Sequence, residues 1–215
     1  MAQSVISIDV VADVICPWCF LGKRRLDKAL AQLPEIKAEV INRPFFLDPT
    51  IPAQGLDRHK YMADKFGEAR LATIHRPLQE MGSKDGVPYH FDKITRTPNS
   101  LDAHRLIRWA QQVDKQPAVV EALFMAYWSE GRDVGDRETL VAIATHCGMD
   151  GREVAQLLKQ DTDKEAVLTE AQRAVDMGVT GVPTFILAQR YGISGAQDVS
   201  VLVDAIKKVA TQASA

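Results

Sequence analysis

Cysteine is scarce in this chain, with three in 215 residues. Three cysteines do not make a disulfide scaffold, so the small stapled folds of secreted proteins are excluded, and a close pair is left to be catalytic or metal-binding. There is no basic block either. The longest run, Lys23-Arg24-Arg25, has Asp27 beside it and the formal net charge is −2, which reads as a solvated helix face and excludes a nucleic-acid partner. No apolar run approaches the ~18 residues of a membrane span. Met1-Ala2-Gln3-Ser4 carries no positive charge, and the apolar stretch after it is short and broken by Asp9 and Asp13, unlike a signal peptide. A soluble, cytoplasmic protein with no membrane partner is expected. Repeats and low-complexity segments are missing too, and 46% hydrophobic with 25% charged residues suits one globular unit or a domain carrying an insertion.

What is present is Cys16-Pro17-Trp18-Cys19, between a strand-like run, Val5 to Val11, and a helix-like run, Pro17 to Leu33. If Cys16 takes the N-cap position, Pro17 falls at the first helical position, where its missing N–H is no loss. The free N–H groups of Trp18 and Cys19 are then expected to point at the Cys16 sulfur and stabilise it as thiolate. The helix sets Cys19 on the same face, near enough to close a disulfide with Cys16.

Val5 to Val11 is rich in β-branched residues and only partly alternating, as in a strand covered on both faces. Leu26, Ala29, Leu30 and Leu33 form a helical stripe, and Val40 to Phe46 reads as a second strand before Pro49 and Pro52 break the chain. From Leu56 to Gly178 the pattern is helical almost throughout. Ala103, Leu106, Ile107 and Ala110 share a face, as do Val120, Leu123, Phe124 and Tyr127, and Leu140, Ile143, Ala144 and Cys147. Asp136 and Asp150 are good N-caps, and Gly131, Gly148 and Gly178 are stops. Strand character returns at Pro183 to Leu187 and Arg190 to Ser194, joined by Ala188-Gln189, an unfavoured hairpin pair. A last amphipathic helix carries Val199, Leu202, Val203, Ile206 and Ala210 inward. Removing the helical block leaves βαβ followed by ββα. The expected class is α/β, a thioredoxin fold with an all-helical domain inserted between its halves. Residues 1–52 and 179–215 form the thioredoxin-like domain, and 53–178 the insertion.

Zinc is the rival use of a CxxC pair, but a closed site needs four ligands. Cys147 and His146 are adjacent, so on a helix they point about 100° apart and hardly reach one metal. Cys147 also belongs to an apolar stripe and is expected to be an inert core thiol; no metal site is expected. The second element is Gly181-Val182-Pro183-Thr184. X-Pro adopts the cis form at a cost of only ~0.5–1 kcal/mol, and proline keeps its backbone from pairing inside a sheet. Pro183 is therefore expected to face the sulfurs, with the N–H and C=O of Val182 free to hold an extended peptide.

The CPWC motif, Gly181 to Phe185 and Ile193-Ser194-Gly195-Ala196-Gln197 resemble the DsbA family, specifically its FrnE-like subgroup. Arg43 to Leu47, Thr97 to Ser100 and Ala103 to Leu106 are also similar to it. The resemblance implies a dithiol–disulfide exchange activity on thioredoxin architecture. It also implies that Cys16 is the attacking cysteine, Cys19 the resolving one and Pro183 the cis-proline. The superfamily includes 2-hydroxychromene-2-carboxylate isomerases and kappa-class glutathione transferases, which typically carry a serine where Cys16 stands. A glutathione-dependent isomerase or transferase is therefore the alternative. Periplasmic DsbA proteins typically have Pro-His between the cysteines, where this chain has Pro17-Trp18.

The expected enzyme exchanges its Cys16/Cys19 dithiol with protein or small-molecule thiols and disulfides, using Pro17, Trp18, Val182 and Pro183 to bind substrate. It needs no cofactor, with glutathione as the candidate co-substrate. Asn99 and Ser100 are expected to cap the following helix, and the resemblance implies that their loop lies near the active site, which leaves a substrate-contact role open to them. His104 can face solvent or cleft, and Asp13 is either a proton acceptor or a loop-ordering residue. The oligomeric state is not readable from the sequence.

Overall fold

The computed structural model describes residues 5–213, so Met1–Ser4, on which the expectation about a signal peptide rests, lie outside the described residues. The chain opens with β1 (Ile6–Ala12), α1 (Pro17–Ala31) and β2 (Ala38–Pro44). It continues through β3 (Leu56–Asp57), α2 (Arg58–Phe66), α3 (Glu68–Asp85), a 3-10 turn at Phe91–Lys93 and β4 (Arg96–Thr97). Five helices follow: α4 (Leu101–Gln112), α5 (Gln116–Trp128), α6 (Arg137–His146), α7 (Gly151–Lys159) and α8 (Lys164–Asp176). The chain returns as β5 (Thr184–Leu187), β6 (Tyr191–Ser194) and α9 (Val199–Ala213). The expected βαβ and ββα halves are both present in one four-stranded sheet of order β2-β1-β5-β6.

The central strand explains its own sequence. Ile6, Ile8 and Val10 enter the main core, whereas Val11 packs on the opposite side with Ala174 and Val179. Both faces are covered, so strict alternation is lost. β1 runs parallel to β2, with Val10 opposite Asn42, and antiparallel to β5, with Val11 opposite Thr184. The end of β1 therefore meets the start of β5, and this register brings the Cys16 loop against Val182-Pro183.

The block between β2 and β5 is helical apart from the short antiparallel ladder of β3 and β4, which pairs Leu56 with Thr97. A two-residue ladder is too short to leave a periodic signal. Asp136 accepts from Thr139 N–H, and Asp150 from Arg152 and Glu153 N–H, capping α6 and α7 as expected. Fully buried Arg105 donates to the carbonyls of Leu157, Gln160 and Thr162, satisfying acceptors that the end of α7 leaves open. One continuous buried cluster runs from Ile8 and Phe20 through Leu106 and Leu123 to Leu158. In the β5–β6 hairpin, Ala188 and Gln189 both take positive φ, 48° and 54°. The Arg190 N–H bonds Leu187 O at 3.1 Å, the backbone of a type I′ turn built without its usual Asn or Gly.

Candidate active site

Cys16 is the N-cap of α1, with φ −96° and ψ 116°, and Pro17 opens the helix. The side chain of Cys16 makes no cap hydrogen bond, however. The Cys19 N–H is taken by the carbonyl of Cys16 at 3.1 Å, so the expected pair of amides aimed at sulfur is not formed. The thiol turns instead to the start of β5, where Cys16 Sγ donates to Val182 O at 3.6 Å. That carbonyl is consequently engaged, not free as expected. The Val182–Pro183 peptide bond is cis.

Both cysteines are free thiols and both are covered, Cys16 to 2% exposure and Cys19 to 1%. A place at the helix start suggests an exposed attacking sulfur, but Tyr89, Trp128 and Val182 crowd that end of the helix. Cys16 instead lines a cleft of about 430 Å³ together with Pro17, Trp18, Gly181 and Val182 on one side, with α2 and α3 opposite. Cys19 is not part of its lining. Burial holds the Cys19 thiol well above its ordinary pKa, with the hydrogen bond and charge of Cys16 adding to the rise. Trp18 is 40% exposed at the cleft rim. Pro183 is buried and does not line the cleft. Its ring packs on α1 at Gly22, where an added Cβ would meet Pro183 Cγ at 2.7 Å.

Four residues that the sequence reading did not place hold this arrangement. Tyr89 OH donates to Pro17 O, and burial pushes its pKa well up, so it stays a phenol. Trp128, at the end of α5, donates its indole N–H to Val14 O at 2.9 Å. Gly22 admits Pro183. Arg58, at the start of α2, lines the cleft. None of these partnerships is local in sequence, so no spacing announces them. Asp13, whose role the sequence left open, is buried and orders two loops. Its carboxylate accepts from Ile15 N–H at 3.3 Å and Leu47 N–H at 2.8 Å. His104 faces neither solvent nor cleft: its Nε2 donates to Phe45 O at 3.1 Å and lies 3.5 Å from Asp13 Oδ1.

Ser100 takes the N-cap position of α4 but its side chain makes no cap bond; Asn99 before it accepts from Leu101 N–H at 3.0 Å and donates to Ile51 O. It lines a separate hollow with Asp102 and Arg137, not the cleft. Cys147 is only half-buried at the end of α6, because that helix stops at His146, one residue short of the expected stripe. Partial burial raises its pKa. Among the described residues, no three His, Cys, Asp or Glu side chains gather as a metal site, and no helix is long and apolar enough to cross a membrane.

Relatives carry the same architecture. The Bacillus subtilis (strain 168) uncharacterized protein YwbO is 28% identical over 205 residues, covering 94% of this chain and 96% of its own. The crystal structure of probable DsbA oxidoreductase SCO1869 from Streptomyces coelicolor superposes with a TM-score of 0.88 at 29% identity, over 95% of this chain and 89% of that one. A 2-hydroxychromene-2-carboxylate isomerase shares the fold, with a TM-score of 0.71 at 19% identity over 97% and 98% of the two chains. Residues 7–207 match the family model described as DSBA-like thioredoxin domain. With its thioredoxin sheet, its inserted helices and this match across nearly its whole length, the chain belongs to the DSBA-like thioredoxin domain family.

Proposed function

We propose that the protein is a thiol–disulfide oxidoreductase in which Cys16 meets substrate and Cys19 completes the exchange. The observation that carries this reading is the asymmetry of the pair. Cys16 lines the cleft against Val182, whereas Cys19 lies one turn behind it, outside the lining, with its thiol held protonated. In the reductive direction, the Cys16 thiolate attacks a substrate disulfide, forming a mixed disulfide and releasing one substrate thiolate. Cys19 then gives up its proton and attacks the Cys16 sulfur. The internal disulfide closes, a second substrate thiolate leaves, and two electrons have passed to substrate. The oxidative direction is the reverse. Two equivalents of a second thiol, with glutathione as the candidate, reduce the internal disulfide again and leave as their own disulfide; in the oxidative direction that disulfide re-closes the pair, and no metal or organic cofactor enters the cycle.

Pro17, Trp18 and Val182 flank the sulfur and contact substrate in this reading. Pro183 presents a backbone without an N–H beside the exchanging atoms. The inserted residues 53–178 act as a separate domain supplying the opposite wall. The scarcity of cysteine fits a reducing, cytoplasmic setting. Dithiols of this kind span roughly −270 to −120 mV, so titration in a glutathione buffer gives the favoured direction. The deciding experiment is trapping with insulin or a small disulfide. Cys19→Ala should accumulate a covalent mixed disulfide, Cys16→Ala should trap almost none, and dithiothreitol-driven insulin reduction should fall to background in both. Equal trapping by the two variants, or wild-type turnover in either, overturns the assignment.

A further inference from the structure

The cleft beside Cys16 is lined by Arg58, Lys65 and Arg70, and no Asp or Glu lines it, although the chain as a whole is acidic. Lys65 is neutralised by Asp48 at 3.2 Å. Arg70, exposed on α3, has no ion-pair partner among the described residues. Arg58 is the unusual one. It is 8% exposed, and no carboxylate among the described residues lies within ion-pair distance of it. Among the described residues its side chain makes one hydrogen bond, from Nη1 to the neutral Tyr127 hydroxyl at 3.2 Å. The guanidinium is otherwise backed by the faces of Trp128 and Tyr127, 5.4 and 6.0 Å from the ring centres. Five donors in a planar fork, with most left open, suit a carboxylate. A buried cation without a counter-ion carries a desolvation cost that an arriving anion relieves. Beside it, His75 Nε2 is buried without a hydrogen-bond partner, its ring stacked on Phe91 at 4.0 Å. Most of the rest of the wall, including Met62, Phe66, Leu78 and Phe91, is apolar, with hydroxyls at Tyr61 and Thr97.

We propose that this cleft selects thiols and disulfides that carry a carboxylate and an apolar group close to the sulfur, with Arg58 receiving the carboxylate and Arg70 adding positive charge to the same cleft. This rests on Cys16 being the exchanging thiol and adds the chemistry of its partner. The source is either a small aryl or aliphatic thiol acid or a peptide with an acidic residue beside its cysteine.

The test is pre-steady-state exchange of the reduced protein with two aromatic disulfides, anionic dithiobis(nitrobenzoate) and neutral dithiodipyridine. The ratio of the two rate constants, corrected for their rates with a free small thiol, is the readout. It should exceed one in the wild type and fall about tenfold or more in Arg58→Gln, the size of a lost charge-assisted contact. Arg70→Glu, at an exposed position that does not threaten folding, should lower it as well. An unchanged ratio in both variants overturns the anionic subsite and leaves exchange at Cys16 standing. Undiminished reaction of Cys16→Ser with both reagents removes the exchange reading itself, whatever the ratio. Peptide disulfides with Glu or Gln next to cysteine complete the assay. A Glu preference that Arg58→Gln abolishes assigns a peptide source, and a charge preference confined to the aryl reagent assigns a small-molecule source. No charge preference with either reagent overturns the proposal.

Discussion

The two walls of the cleft are built differently. On the Cys16 side, α1 and β5 meet with no room to spare: Gly22 lies under the Pro183 ring, Phe185 is fully buried, and both sulfurs are covered. On the α2–α3 side, Phe66 is partly exposed, Arg70 has no ion-pair partner among the described residues, and α3 carries Pro77 within it. In the proposed exchange the first wall would fix the positions of the reacting atoms, where a misplacement of about 1 Å is costly. The second offers charge and apolar surface, which would set which substrates arrive. Under the proposal, chemistry and selectivity thus fall to different segments of the chain, 12–22 with 182–185 for one and 58–78 for the other.

Substitutions sort the walls by the size of their effect. Gly22→Ala should be the most damaging of these, since its methyl would meet Pro183 Cγ at 2.7 Å. Overpacking of this kind costs about 1–3 kcal/mol. Exchange should slow along with the loss of stability, because the start of β5 shifts away from Cys16. Phe66→Ala on the opposite wall should cost less than about 1 kcal/mol at its partly exposed position. Urea titration and insulin reduction on both variants compare the walls directly, and equal losses would erase the distinction.

A smaller effect belongs to pH. The folded protein raises the Cys19 pKa above the unfolded value of about 8.5. Below that value both states hold the proton and the buried thiol contributes fully. Above it the unfolded chain ionises first, so the reduced protein should lose up to about 1.4 kcal/mol per pH unit from this group. Cys19→Ala should show a correspondingly shallower decline between neutral and alkaline pH in chemical denaturation. An identical decline would mean that Cys19 is less buried than its place behind Cys16 requires.

The smallest change lies outside both walls, in the β5–β6 turn. Left-handed backbone costs a non-glycine residue roughly 1–2 kcal/mol, part of which glycine returns as unfolded-state entropy. Gln189→Gly should therefore raise thermal stability by up to about 1 kcal/mol and leave exchange rates as they are. A loss of stability would show that Gln189 earns its conformation through contacts of its own.

Much of this molecule was legible in its residues. The halves of the sheet, the caps at Asp136 and Asp150, the glycine stops and the meeting of the CPWC loop with the segment around Pro183 follow from local pattern and from two short segments. Strand ends shifted by a residue or two, since β2 begins at Ala38 where Lys37 O already accepts from Ile6 N–H. What stayed hidden depends on contacts between distant positions. Tyr89 on Pro17, Trp128 on Val14 and Asp13 on Leu47 leave no periodicity behind. The thiol orientation was misjudged for a related reason. Helix-start amides are an attractive partner for sulfur, but the carbonyl of Cys16 already occupies the one on Cys19.

Two of the three tryptophans stand close to the sulfurs in opposite surroundings. Trp18 is partly in water next to Cys16, while Trp128 is sealed in the interior and joined to the loop two residues before it. Indole emission shifts to the red in water and to the blue in an apolar interior, and neighbouring sulfur chemistry alters its intensity. The chain therefore contains its own optical gauge. Under the proposed exchange, intensity at the red edge should follow the redox state of the pair and the docking of substrate beside Trp18. Intensity at the blue edge follows the integrity of the scaffold behind it, so the two can be recorded at once without a label.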